Sequence, residues 1–130
     1  MNNLSSGYTQ AQRLRVAAEF DVLFRLGTRA SDAYFTVIAH PNALGHARLG
    51  IAVSKKVSCR AVDRNRLKRL LRESFRQSAV RTTALDIVVL AKPTSATANR
   101  LLLGGALDKR WQSLIFFSKQ FLTTTESTLG

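Results

Sequence analysis

Between Asp63 and Ser78 the sequence DRNRLKRLLRESFRQS satisfies two periodicities at once. At 100° per residue, Leu67, Leu70, Leu71, Ser74 and Phe75 fall on one arc, and Asn65, Arg66, Lys68, Arg69, Arg72 and Arg76 on the opposite arc. A strand would scatter both sets over two faces, so the segment is consistent only with a helix that seats one side on a core and turns the other outward. Asp63 is placed to cap its start, and the helix is expected to run to about Ser78. The bias extends beyond the helix. From Lys55 to Arg81, 27 residues hold ten of the twenty Lys and Arg and only two acids, Asp63 and Glu73, which supplies +8 of the +12 carried by the 130-residue chain. In an average protein such a run is a solvated helix face. Here the density of cations, with so few carboxylates to offset them, points to a polyanion, with nucleic acid the leading class. Arg forks grip two phosphate oxygens or stack on a base, Lys supplies a point charge, and Asn65 can read a base edge or orient a ribose. Held on a seated helix, these groups form a rigid surface, which favours a shaped RNA over a random polyanion.

The rest of the chain supplies the seat. Glu19 to Gly27 reads as a short helix with Phe20, Leu23 and Phe24 at i, i+3 and i+4 and Gly27 as a left-handed cap. A further short strand is expected around Gly27 to Ser31. Ala33 to His40 reads as a strand ending at Pro41, and Arg48 to Ser54 as another, the short loop between these two favouring antiparallel, hairpin-like pairing. Asp86 to Ala91 is an apolar strand stopped by Pro93. Thr97 or Asn99 can cap a last helix to about Phe117, with Leu103, Leu107, Trp111 and Leu114 as its stripe and Gly104 and Gly105 weakening it. The expectation is an α+β fold: one domain, a two-layer α/β sandwich with a mixed sheet, in the order α-β-β-(β)-α-β-α. Residues 1–12 read as a flexible leader, 13–118 as the domain and 119–130 as a flexible tail.

Little in the chain reads as chemistry of its own. The eight acids are scattered, and Glu73 most simply pairs with Arg69 or Arg76. His40 and His46 flank a Pro-containing loop without a second ligand cluster, Cys59 lacks a visible base partner, and there is no phosphate-cradling glycine loop. No catalytic or metal-ligating residue is therefore expected. A single cysteine, no apolar run approaching the ~18 residues of a membrane span, and no signal-like start point to the cytoplasm.

The run Arg64-Asn65-Arg66, continued by Leu67-Lys68-Arg69 and Arg72-Glu73-Ser74-Phe75-Arg76, resembles the basic-helix motif of the bacterial ribonuclease P protein family. The resemblance extends upstream through Leu44-Gly-His-Ala-Arg-Leu-Gly-Ile-Ala-Val-Ser-Lys-Lys56 and Phe20-x-x-x-Phe24. Downstream it takes in Asp86-Ile-Val-Val-Leu-Ala-Lys-Pro93 and Leu107-x-x-x-Trp111, so that roughly residues 13 to 117 are covered. It implies an accessory subunit of an RNA-based endoribonuclease: a catalytic RNA, with Mg2+ held mainly by that RNA and none by the protein alone, removes the 5′ leader of precursor tRNA. It also implies a monomer in a 1:1 complex with the RNA, and a left-handed crossover between strands 48–54 and 86–91 where the general rule predicts a right-handed one. Lys55, Lys56, Arg60, Arg64, Asn65, Arg66, Lys68, Arg69, Arg72 and Arg76 would contact RNA, chiefly the catalytic RNA. Phe20 and Phe24, with Thr36 and Ile38, match the cleft positions that receive the leader, although spacing alone would make the two phenylalanines core anchors. A ribosomal or other structural RNA-binding protein is the alternative that size and charge equally support. An autonomous metal-dependent nuclease would need clustered carboxylates that the sequence does not show.

Overall fold

In the computed structural model, Arg13 and residues 17–129 are described, and the expected leader 1–12 lies outside them. Two strands with apolar side chains on both faces organise the fold. β2 (Phe35–Pro41) pairs antiparallel with β4 (Leu85–Ala91), in register from Phe35 opposite Ala91 to Pro41 opposite Leu85. The short β1 (Thr28–Ser31) adds antiparallel to the free side of β2, and β3 (Arg48–Ala52) adds parallel to β4, giving the order β1-β2-β4-β3. The expected hairpin between β2 and β3 does not form, because β4 lies between them. The reason is burial: Ile87, Val88 and Val89 are all fully buried, so this continuous apolar run needs a neighbour on each side and a layer on each face.

The parallel pair requires a crossover, which α2 (Ala61–Gln77) provides. The helix starts earlier than Asp63: Arg60, in extended backbone, is the cap residue, without a capping side chain. Asp63 instead sits in the first turn, where its carboxylate accepts from the Ser58 hydroxyl at 3.0 Å and complements the positive end of the helix. A 3-10 turn at Ala79–Thr82 leads into β4. α3 (Arg100–Leu129) is capped by Asn99 rather than Thr97, the Asn99 side chain accepting from the Leu102 amide at 2.9 Å. It continues to Leu129, past the anticipated end near Phe117 and through the segment read as a tail.

Two layers enclose the main core. Phe35, Val37, Ile87 and Val89 rise from the sheet to meet Leu67, Leu71 and Phe75 of α2 and Leu103, Leu107 and Trp111 of α3. Each α2 side chain buried there contributes about 1.5–3 kcal/mol, which seats the helix with its basic side outward. Trp111 meets Phe75 edge-on at 5.9 Å between ring centroids, and its indole N–H donates to the Ser74 hydroxyl at 2.7 Å. Among the described residues the opposite face of the sheet is covered in part, by α1 (Ala17–Leu26), whose Leu23 closes a small cluster with Ile38 and Val88. Gly27 does not take the left-handed conformation expected of it; among the described residues only Gly45 has a positive φ. Gly27 is needed for approach instead, since a Cβ there would collide with the Ile38 side chain and the Leu23 carbonyl.

Candidate RNA interface

The two arcs of α2 separate as their periodicity requires. Leu67, Leu71 and Phe75 are buried, whereas Asn65, Arg66, Arg69 and Arg72 are exposed and Lys68 and Arg76 half-buried. Lys55 and Lys56 project from the turn after β3, which buried Val57 anchors. Arg60 is exposed, 3.7 Å from Asp63, and Arg76 pairs with Glu73. That second contact settles which arginine Glu73 chooses. It holds the Glu73 carboxyl below its ordinary value, chiefly through the hydrogen bond from Arg76. By contrast, the side chains of Lys55, Lys56, Arg66, Lys68, Arg69 and Arg72 have neither hydrogen bond nor ion pair among the described residues. Arg64 stands apart from its neighbours. Its position on the wheel falls on the inner arc, and its Nη1 donates to the Ser58 carbonyl at 2.9 Å, bracing the loop that carries Lys55 and Lys56.

Across the sheet, the four residues expected to line a cleft are brought near one another but not to equal exposure. Thr36 and Ile38 alternate along β2 toward the α1 side, beside Leu90 and Val88 of β4. Ile38 is 1% exposed beneath Leu23, so its side chain belongs to the small core under α1 and not to the surface where sequence placed it. Phe20 is half-buried and, with Leu90, packs against the edge of the Leu23 cluster. Phe24, one turn on, is 45% exposed. Thr36 is half-buried, its hydroxyl 2.8 Å from that of Ser31. Leu90 and the exposed Ala52, register partners on the same face, were not singled out from sequence.

What fixes α1 over this surface was also missed. Arg48 donates from Nε and Nη2 to the two carboxylate oxygens of Asp86 at 2.8 and 2.7 Å, and from Nη1 to Glu19 of α1. The Asn42 amide adds a third donor to Asp86 at 2.8 Å. The guanidinium is held charged well above its ordinary range, first by the Asp86 hydrogen bonds, against the opposing cost of burial. The signal for it was a lone carboxylate, Asp86, in an otherwise apolar strand, since a partly buried charge of that kind needs a partner. Among the described residues no group of three or more His, Cys, Asp or Glu is placed to hold a metal ion, and no helix is long and apolar enough to cross a membrane.

Comparison with known proteins gives a consistent result. The family model for ribonuclease P matches residues 8–114. The chain is 44% identical over 105 residues to the ribonuclease P protein component of Methylococcus capsulatus, covering 81% of this chain and 82% of that one. It is 42% identical over 107 residues to the component of Legionella pneumophila, covering 82% and 92%. Among solved structures it is similar to the Staphylococcus aureus RNase P protein, with a TM-score of 0.71 at 33% identity over 77% of this chain and 92% of that one. The RNase P protein of Thermotoga maritima gives 0.71 at 30% identity, covering 78% and 96%.

Proposed function

The chain belongs to the ribonuclease P protein family, and from that premise we propose that it is the protein subunit of a ribonucleoprotein that removes the 5′ leader of precursor tRNA. Family membership supports a role in tRNA 5′ processing and partnership with a ribonuclease P RNA. The finer reading assigns the catalytic RNA to the outer face of α2 with the turn at Lys55 and Lys56, and the leader to the cleft between α1 and the sheet. One observation carries it: a helix seated by three buried side chains presents cations that meet no carboxylate among the described residues.

On this reading Arg66, Lys68, Arg69 and Arg72, with Asn65, bind backbone and exposed base edges, and the gain comes largely from counterions released by the RNA. Arg60 and Arg76 bind while sharing their charge with Asp63 and Glu73. Arg64 spends one of its five donors on Ser58 and keeps the others for RNA. In the cleft, Phe24 and the free edge of Phe20 offer stacking that tolerates any base, and the Thr36 hydroxyl offers a hydrogen bond. Ile38 holds the floor in shape. Bond cleavage is assigned to the RNA and its Mg2+; the described residues of this chain do not fit a metal site. The complex is read as 1:1 and cytoplasmic.

Reconstitution at low Mg2+ with a ribonuclease P RNA and a precursor tRNA tests the proposal. The expected result is faster 5′ cleavage than with RNA alone. RNA binding without stimulation would instead favour a structural RNA-binding role, and cleavage by the protein without RNA would overturn the assignment of chemistry to the partner.

A further inference from the structure

Beside the outer face of α2 runs a groove that neither the core nor the leader cleft uses. It holds about 600 Å³ between α2 and the start of α3, with Asp63, Arg66, Arg69, Leu70, Glu73 and Arg100 on its walls. Past Leu70, Glu73 and Arg100 it continues into a second hollow of about 570 Å³, bordered by Gly104 and Trp111.

The charge of the groove is not what its composition suggests. Asp63 is taken by the Ser58 hydroxyl and Arg60, and Glu73 by Arg76 and Gln77. Arg66, Arg69 and Arg100 therefore remain as cations with no hydrogen bond or ion pair among the described residues. Arg100 is near enough to help depress the Glu73 carboxyl without pairing with it. The second hollow also contains an expense that the chain's own packing does not explain. Gly104 lies inside a long helix, where glycine costs about 1 kcal/mol relative to alanine. A Cβ built there meets no atom within 4 Å. Among the described residues nothing fills that gap, which leaves it open to a backbone approaching from outside.

We propose that the sugar-phosphate backbone of the catalytic RNA passes from the outer face of α2 into this groove, with Arg100 binding phosphate from α3 and Gly104 admitting the strand at close range. The inference rests on the RNA-binding reading of α2 and extends the contact surface onto a second helix. A phosphodiester strand fits the observations because three unpaired guanidinium groups line its path, Asp63 and Glu73 are already occupied, and the one open carboxylate, Asp108 on the border of the second hollow, is outnumbered by those cations.

The test measures binding of the full chain to a ribonuclease P RNA as a function of salt, for wild type, Arg100→Ala and Gly104→Gln. Arg100→Ala is expected to weaken binding about five- to tenfold at physiological salt and to lower the salt slope by about one. Gly104→Gln adds a helix-favouring side chain to open space, so its melting temperature should hold or rise while RNA affinity falls severalfold. Unchanged affinity in both variants, beside a wild type that binds, overturns this inference alone. Weaker binding by Arg100→Ala with an unaltered salt slope also overturns it, by removing the phosphate contact. A wild type that fails to bind the RNA defeats the underlying reading together with this one. Sedimentation as a dimer that Gly104→Gln dissociates would put a second copy of the chain in the groove in place of RNA.

Discussion

Beside α1, Arg48 gives its fork to Asp86 and its remaining amino group to Glu19, and Arg25 lies 3.3 Å from Asp21. On the outer face of α2, Arg66, Arg69 and Arg72 meet no carboxylate among the described residues. The same side chain is cement in one region and an open hand in the other. The difference lies in where the acids were placed. Two acids of the cleft side, Glu19 and Asp86, converge on one guanidinium across two elements, whereas the two of α2 are consumed locally by Ser58, Arg60, Arg76 and Gln77. A chain with twelve more cations than acids cannot satisfy every arginine; among the described residues Arg48, which positions α1, is satisfied twice over, while Arg66, Arg69 and Arg72 are left open.

Substitutions in the two regions should therefore separate stability from binding. The largest effect is expected beneath α2: Phe75→Ala empties a fully buried site against Trp111 and should cost about 3–5 kcal/mol in urea unfolding, with RNA binding lost only as the helix unseats. Next comes Arg48→Met, which strands Asp86 and Glu19 in a half-buried setting. A stability loss of about 2–3 kcal/mol is expected, below the range for a fully buried pair because the Arg48 side chain keeps 20% exposure. Leader-bearing substrate should then lose affinity more than mature tRNA; equal losses would detach α1 placement from leader binding. Phe24→Ala should weaken leader-bearing substrate by about 1–3 kcal/mol while leaving stability nearly intact, whereas Phe20→Ala should do both, and identical behaviour of the two would contradict their different burial.

On the α2 face the sign reverses. Replacing Arg69 and Arg72 together with Ala should leave unfolding within about 0.5 kcal/mol of wild type. RNA affinity should fall, and the salt slope should drop by about two. A clear loss of stability would show that these arginines serve the fold after all. The smallest effect is electrostatic. Because Arg76 holds Glu73 below its ordinary 4.5, this contact favours the fold above that pH and is lost only as pH falls through the depressed value. An NMR titration should find the Glu73 carboxyl returning toward its ordinary value in Arg76→Ala, and no movement would mean that the pair is absent in solution.

Much of this contrast could be read from residue order because it is local. The arcs of α2, the apolar run of β4 and the α3 stripe are set by side chains within a few turns of one another, and the basic face follows from the same periodicity. Strand order was not legible. The link between β2 and β3 is short and the one into β4 long, so proximity in sequence favoured a pairing that burial overruled. The inward turn of Arg64 and the convergence of Glu19, Arg48 and Asp86 depend on loop geometry and on elements far apart in the chain, which no local pattern encodes. Gly27 was legible as special but for a different reason, a close approach to β2. At the cleft, alternation along β2 placed Thr36 and Ile38 on one face, yet only the position of Leu23 decided that Ile38 would be covered.

Trp111 is the chain's single tryptophan, and it sits under the last turn of α2 with one edge on Phe75 and its N–H on Ser74. The protein thus carries its own optical gauge of that helix. Emission from one indole, shielded by the very segment that meets the polyanion, reports whether α2 stays in its seat, so a spectrum that holds still while RNA is added would identify recognition by a surface already in its final shape.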